Sequence, residues 1–114
     1  MKDHERATQV WAVLALAARN RQTLTYEMLS QLIGVPARGL ADILDHIQRY
    51  CMQEGLPALT SIVVNKETGL PGHGFTAVQD VPREQEVVFG HDWLAVDTPT
   101  PSILEAAFRE AKSH

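Results

Sequence analysis

The sequence predicts a small α+β fold in which three helices precede a β-hairpin and an acidic strand–loop–helix segment ends the chain. The length of 114 residues, with 45% apolar and 21% charged residues, is typical of one soluble domain with a modest core. Apolar residues recur at helical spacing up to residue 55, and β-branched residues cluster after residue 57. We therefore expect residues 1–114 to form a single domain.

The charged residues are distributed unevenly along that domain. Residues 1–75 carry seven basic and seven acidic residues, whereas residues 76–114 carry three basic and seven acidic ones. The net charge of −4 therefore belongs entirely to the last 39 residues. Because a change of this kind often separates a folded core from an appended segment, we divide the chain into a core, 3–75, and an acidic extension, 76–114.

Two helices are predicted in the first third of the chain. The first is expected over residues 3–20, where the i, i+3, i+4, i+7 pattern is formed by Val10, Val13, Leu14 and Ala17. The second is expected between Thr25, a preferred N-cap residue, and Gly34, which readily adopts the left-handed conformation that ends helices.

A third helix is predicted from Pro36, a residue favoured at a helix start, to Gly55. Its apolar residues are spaced 4, 3 and 4 apart: Leu40, Leu44, Ile47 and Cys51. Cys51 therefore lies on a buried stripe, and we interpret it as a packing residue rather than a nucleophile.

The remaining elements are predicted from β-branched runs and turn residues. Residues 59–65 are expected to form a strand, 66–69 a turn and 70–75 a glycine-rich return arm of a hairpin. Residues 86–89 are predicted to add a short strand. Ser102 and Glu105 form a capping-box pattern that predicts a last helix ending near Lys112.

Two helices joined through Gly34-Val35-Pro36 and followed by a hairpin are typical of a winged helix-turn-helix, with the third helix as the recognition helix. Within that arrangement, residues 25–30 (TYEMLS) and 34–40 (GVPARGL) resemble the helix-turn-helix of the alkylguanine DNA alkyltransferases and their alkyltransferase-like relatives. Residues 56–57, 62–65 and 68–69 resemble the strand and turn that carry the active site of that family. The resemblance covers residues 3–75, about two-thirds of the chain.

This resemblance implies specific roles in DNA binding and DNA repair. Tyr26 matches the family's tyrosine that contacts the phosphate beside a flipped nucleotide, and Arg38 matches the arginine that replaces the extruded base. The Pro-Cys-His-Arg motif that carries the alkyl acceptor corresponds here to Leu59-Thr-Ser-Ile62, which lacks the cysteine, the histidine and the arginine. The resemblance therefore implies a binding module without alkyl-transfer chemistry.

Three functional hypotheses follow from these patterns. The first is a non-enzymatic binding or regulatory module that contacts DNA weakly, with candidate nucleic-acid-binding residues Tyr26, Arg38, Arg49 and Lys66. The second is a protein–protein interaction domain that has lost DNA binding and presents residues 76–114 to a basic partner. The third is a small enzyme whose candidate groups are Thr60, Ser61 and His73.

The charge, the cysteine count and the apolar runs of the chain argue against several classes of function. A negative net charge argues against a dedicated nucleic-acid binder, because phosphate contacts supply most of that affinity, and Asp42 and Asp45 follow Arg38 on the same helix. One cysteine excludes an internal disulfide and a multi-cysteine zinc site, and no apolar run approaches the roughly 20 residues that span a bilayer. With no signal-peptide pattern, we expect a cytoplasmic protein with no catalytic residue, no cofactor, no metal and no membrane partner.

Overall fold

A computed structural model describes residues 1–72 and 79–112 of the chain. These residues form a mostly helical α+β fold with a two-stranded parallel sheet. The helices are α1 Asp3–Arg19, α2 Tyr26–Ile33, α3 Leu40–Glu54, α4 Val81–Gly90 and α5 Pro101–Lys112. The strands are β1 Leu24–Thr25 and β2 Val63–Val64. Three short 3₁₀ helices connect them: Ala37–Gly39, Leu59–Ile62 and Trp93–Ala95.

Helices α1, α3 and α5 pack against one another and enclose the core. Trp11 of α1 lies at its centre and meets Trp93 and Tyr50 edge to face, with ring centroids 5.7 and 5.6 Å apart. Such aromatic contacts stabilise a core beyond the area they bury. The α3 side of the core is formed by the predicted stripe of four residues, all buried: Leu40, Leu44, Ile47 and Cys51.

The three predicted N-terminal helices are confirmed, with small differences at their ends. Thr25 caps α2 by accepting a hydrogen bond from the Met28 N–H at 3.1 Å. Gly34, at φ 72°, and Gly55, at φ 66°, end α2 and α3 in the left-handed conformation. Residues after Pro36 first form a 3₁₀ turn, so α3 begins at Leu40 rather than at the proline.

The predicted hairpin over 59–75 is not confirmed. Residues 59–62 coil into a 3₁₀ helix in which all four side chains are buried, and a short buried apolar run does not distinguish strand from helix by its period. The strand that follows spans Val63–Val64 alone and pairs in parallel with β1, with Leu24 opposite Val63 and Thr25 opposite Val64. Part of the predicted return arm, residues 73–75, lies outside the described residues.

The predicted strand at residues 86–89 is wrong, because these residues belong to α4. Asp80 caps that helix by accepting from the Arg83 N–H at 3.2 Å, and Pro82 occupies its first turn. Val88 is buried while its neighbour Val87 is half exposed, a pattern that a strand would also give, so the burial of this pair does not distinguish helix from strand. These start signals outweigh the β propensity of the two valines.

The acidic extension packs into the same core as the residues before it. Val88, Trp93 and Leu104 are buried members of the central cluster, and Ala107 is buried as well. The last helix is confirmed but begins at Pro101, one residue before its predicted start, and Thr100 rather than Ser102 accepts the hydrogen bond from the Ile103 N–H, at 3.3 Å. Among the described residues, no helix combines the length and the apolar character that crossing a membrane requires.

Candidate nucleic-acid interface

The parallel ladder places two of the four candidate residues at the same end of the sheet. Because β1 and β2 run in the same direction, Tyr26 and Asn65 are the next residues after the paired Thr25 and Val64. Lys66 follows directly in an exposed turn. The Asn65 N–H donates to the Leu70 carbonyl at 2.8 Å and thereby folds this turn back towards the sheet.

Tyr26 begins α2 and is half-buried against the core. Its hydroxyl accepts a hydrogen bond from the backbone N–H of Gly72 at 2.7 Å. This contact joins the start of α2 to the glycine-rich segment that follows β2. The sequence predicts a glycine-rich arm here, but it does not identify Tyr26 as a neighbour of that arm.

Arg38 lies in the 3₁₀ turn between α2 and α3, and its side chain is exposed. No described residue forms an ion pair or a hydrogen bond with its guanidinium. The turn itself is fixed, because the Ser30 hydroxyl donates to the Val35 carbonyl and Arg6 Nη1 donates to the Ile33 carbonyl at 2.8 Å. A charged side chain is thus presented to solvent from a rigid backbone.

Arg49 is engaged by side chains of α3 and α5. Its Nε donates to Asp45 Oδ2 at 2.8 Å, and its guanidinium lies 5.3 Å from the centroid of the Phe108 ring on α5. His46 stacks on the same ring, with centroids 4.0 Å apart and planes 2° from parallel. Arg49 therefore helps to attach α5 to α3, and the partners found for it are Asp45 and Phe108 rather than Tyr26, Arg38 or Lys66.

Each of the candidate residues Tyr26, Arg38 and Lys66 has an acidic residue close to it in the chain. Glu27 follows Tyr26, Asp42 follows Arg38 by one helical turn, and Glu67 follows Lys66, and all three are exposed. Opposite charges at these short separations reduce the attraction for phosphate. These residues therefore do not form a strongly basic surface.

The hydroxyl groups of the enzyme hypothesis are buried. Thr60 donates to Gln48 Oε1 at 2.7 Å, and Ser61 is fully buried with no partner for its hydroxyl among the described residues. His73, the expected base, lies outside the described residues. Neither hydroxyl is open to a substrate, which removes support for a nucleophilic role of this pair.

Cys51 is also removed from solvent. The side chain is fully buried on α3, and this burial raises the pKa of the thiol to about 12. Since the thiolate is the reactive form, Cys51 is inert as an acceptor at neutral pH. This agrees with its interpretation as a packing residue.

The structure also contains an open groove that the sequence does not indicate. Its volume is about 680 Å³, and it lies between the start of α1, α3 and α5. Its lining residues come from three separate elements: Lys2, Asp3, His4, His46, Glu105, Phe108 and Arg109. The groove has two carboxylates, those of Asp3 and Glu105. The Glu105 carboxylate is already engaged, because it pairs with Arg109 and lies 3.5 Å from His4 Nε2.

Comparison of the chain with known proteins identifies no relative. No protein family model, no curated protein and no solved structure gives a significant match to the chain. The resemblance to the alkyltransferases therefore rests on the residues quoted for it. Within residues 1–72 and 79–112, no group of three or more His, Cys, Asp or Glu side chains is arranged to hold a metal ion.

Proposed function

We propose that this chain is a non-enzymatic DNA-binding module of helix-turn-helix type, similar to the alkyltransferase-like proteins and without alkyl-transfer chemistry. In this proposal α2 and α3 form the helix-turn-helix, and the turn after β2 takes the place of the wing. The contact face consists of Tyr26, Arg38 and Lys66. Arg49 is left out of this face because Asp45 and Phe108 occupy its guanidinium.

The observation that carries the proposal is the exposure of Arg38 on a fixed turn with no partner among the described residues. A cation near the start of a helix opposes the helix dipole, so this position brings no structural benefit. Three other arginines of the chain have partners: Arg6 binds the Ile33 carbonyl, Arg21 pairs with Glu86 at 2.7 Å, and Arg49 pairs with Asp45. Arg38 is thus available to an anionic ligand.

The burial of the three nucleophiles that the sequence suggests supports binding without catalysis. Cys51, Thr60 and Ser61 are buried, and the thiol of Cys51 has a raised pKa. A module of this kind would bind its ligand and release it unchanged. Its affinity would come from a few charged contacts and would fall as salt is added.

The proposal is tested by measuring the anisotropy of fluorescein-labelled DNA, duplex and single-stranded, at about 50 mM salt. Arg38→Ala is expected to weaken binding about tenfold, because a hydrogen-bonded charge pair with the ligand is lost. Arg83→Ala is the matched control, since Arg83 is another exposed arginine in the first turn of a helix, on α4. Equal affinity of the two variants, or no binding by the natural chain, would contradict the proposal.

A protein partner is the second candidate, and one observation favours it. Met28 and Leu32 lie one turn apart on α2 and are 47% and 63% exposed, so this helix presents an apolar pair to solvent. The extension is less suited to a basic partner than its charge suggests. Glu84 accepts from the Ala58 N–H at 2.7 Å, Glu86 pairs with Arg21, and Glu105 is engaged by His4 and Arg109.

The two candidates are separated by the double variant Met28→Ser with Leu32→Ser. Neither side chain belongs to the proposed DNA contact face, so DNA affinity is expected to stay within about twofold of that of the natural chain. If this variant instead abolishes binding to a protein isolated with the natural chain, and Arg38→Ala does not, the protein-interaction hypothesis is the better one.

A further inference from the structure

Arg6, a half-buried residue of α1, reaches the end of α2 at the point where the turn that carries Arg38 begins. Its Nη1 donates a hydrogen bond to the carbonyl of Ile33, the last residue of α2, at 2.8 Å. The same nitrogen also donates to Gln9 Oε1 at 3.4 Å, which keeps the guanidinium close to α1. Arg6 thus connects the central helix of the core to the end of α2.

The other hydrogen bonds that shape this turn are local. The Val35 N–H donates to the Ser30 carbonyl at 3.2 Å, and the Ser30 hydroxyl donates to the Val35 carbonyl. The Gly39 N–H donates to the Pro36 carbonyl at 2.8 Å. Within the part of the chain that the structure describes, only the hydrogen bond from Arg6 reaches the end of α2 from outside the two helices that the turn joins.

The charge of Arg6 serves α2 rather than its own helix. Arg6 lies near the start of α1, where a positive charge opposes the helix dipole. The Ile33 carbonyl lies at the negative end of α2, and α2 has no basic residue in its own last turn. A charged donor on an end carbonyl makes a stronger hydrogen bond than a neutral donor does. Arg6 therefore supplies the cation that the end of α2 lacks.

We propose that Arg6 is a positioning residue that fixes the end of α2 and thereby holds Arg38 in place for contact with DNA. The inference rests on the proposed function and adds to it a residue that acts through Arg38. A charged contact needs a backbone held by supporting hydrogen bonds. Without the bond from Arg6, the last turn of α2 frays and the backbone beneath Arg38 moves.

The test is a double-mutant cycle of Arg6 and Arg38 in the full chain, measured by anisotropy of a fluorescein-labelled duplex at about 50 mM salt. Arg6→Met removes the charged donor but keeps an unbranched side chain, and we expect it to weaken binding about fivefold. The double variant with Arg38→Ala should bind no more weakly than Arg38→Ala alone, because Arg6 acts through Arg38. Losses that add would show that Arg6 acts independently of Arg38 and would overturn the positioning role.

Two matched variants separate positioning from a simple change of charge. Arg19→Met makes the same charge change in the last turn of α1, where Arg19 is exposed, and its DNA affinity should stay within about twofold of that of the natural chain. Arg6→Lys keeps a charged donor and should restore the affinity to within about twofold. A thermal melt shows that each variant is folded. If Arg6→Met does not fold, Arg6→Gln takes its place in the cycle.

A second measurement follows the turn without DNA. The NMR order parameter of the Arg38 backbone amide should fall from about 0.85 in the natural chain to about 0.6 in Arg6→Met, because the end of α2 is released. In Arg6→Lys it should return to the value of the natural chain. An order parameter that Arg6→Met leaves unchanged overturns the positioning role.

The outcomes keep the two proposals apart. If the natural chain binds DNA and Arg6→Met binds equally well, the positioning role is overturned and the proposed function stands. The same conclusion follows if Arg19→Met loses as much affinity as Arg6→Met, or if Arg6→Lys restores none. If the natural chain binds no DNA, the proposed function fails and the positioning role fails with it.

Discussion

Cys51 shows, at the scale of one residue, how burial makes a side chain unreactive. The residue type suggests a nucleophile, and the resemblance is to a family that uses a cysteine as alkyl acceptor. Its position on the apolar stripe of α3 predicts burial instead, and the structure places it with no exposed surface. Burial raises the pKa of the thiol to about 12, so the neutral, unreactive form dominates in the folded chain.

This burial predicts a measurable loss of stability at alkaline pH. The unfolded thiol ionises near pH 8.5, whereas the folded one keeps its proton to about pH 12. Stability from this group is fully present below about pH 8.5 and is lost as the pH rises towards 12, by up to about 1.4 kcal/mol per pH unit. Urea unfolding at several pH values should give a shallower alkaline decline for Cys51→Ala than for the natural chain. Equal slopes would contradict the assignment.

At the scale of elements, α5 is attached to the fold by a stack of three planar groups. The Phe108 ring lies against His46 on α3, and the Arg49 guanidinium also meets this ring. Leu104 and Ala107 on the same helix are buried. Helix α5 therefore completes the core. Its attachment engages Arg49, one of the four residues that the sequence suggests for DNA binding.

We expect Phe108→Ala to lower the free energy of unfolding by about 2 kcal/mol, because both ring contacts and part of the buried area are lost. The matched change on the same helix is Ile103→Ala. Ile103 is 46% exposed, so its loss should cost less than about 0.5 kcal/mol. Chemical denaturation of the two variants checks the difference, and similar values would show that the stack does not hold α5.

How far the sequence predicts these elements depends on the kind of signal. Helices α1, α2, α3 and α5 have regular apolar spacing or clear caps, and their predictions are confirmed. Residues 59–62 are uniformly buried and carry no period, and α4 has its start signals beside a valine pair that favours a strand. Local sequence does not decide such segments, because tertiary packing does.

For the candidate site, the sequence predicts some of the residues but not the contacts that they make. The resemblance identifies Tyr26 and Arg38, and an exposed turn is predicted for Lys66. The partners of Arg49 and Tyr26 are not predicted, because Phe108 and Gly72 are distant in the chain and meet them only in the folded structure. Contacts of this kind carry no local sequence signal.

At the scale of the whole molecule, the acidic extension is joined to the rest of the chain by shared core residues. Val88, Trp93 and Leu104 are all buried in the cluster that also contains Trp11. Its carboxylates also reach back, with Glu86 paired to Arg21 and Glu84 bonded to the Ala58 N–H. The charge boundary near residue 75 is therefore not a boundary in packing.

This sharing of one core predicts that the chain does not tolerate loss of the extension. A chain ending at Gln79 leaves the Trp11 side of the core open to water, so we expect it to lose the cooperative unfolding transition. A chain ending at Lys112 retains every described element and should melt like the full chain. Circular dichroism during heating distinguishes them. A cooperative melt of the shorter chain would show that the first 79 residues fold alone.

The salt dependence of DNA binding tests the central claim most directly. With Arg38 and Lys66 as the charged contacts, the logarithm of the binding constant should fall with the logarithm of salt concentration with a slope of about −2, since each phosphate neutralised on duplex DNA contributes about −0.9. In Arg38→Ala the slope should become shallower by about 1. A complex whose affinity ignores salt, or no complex at about 50 mM salt, would contradict the assignment of this face to DNA.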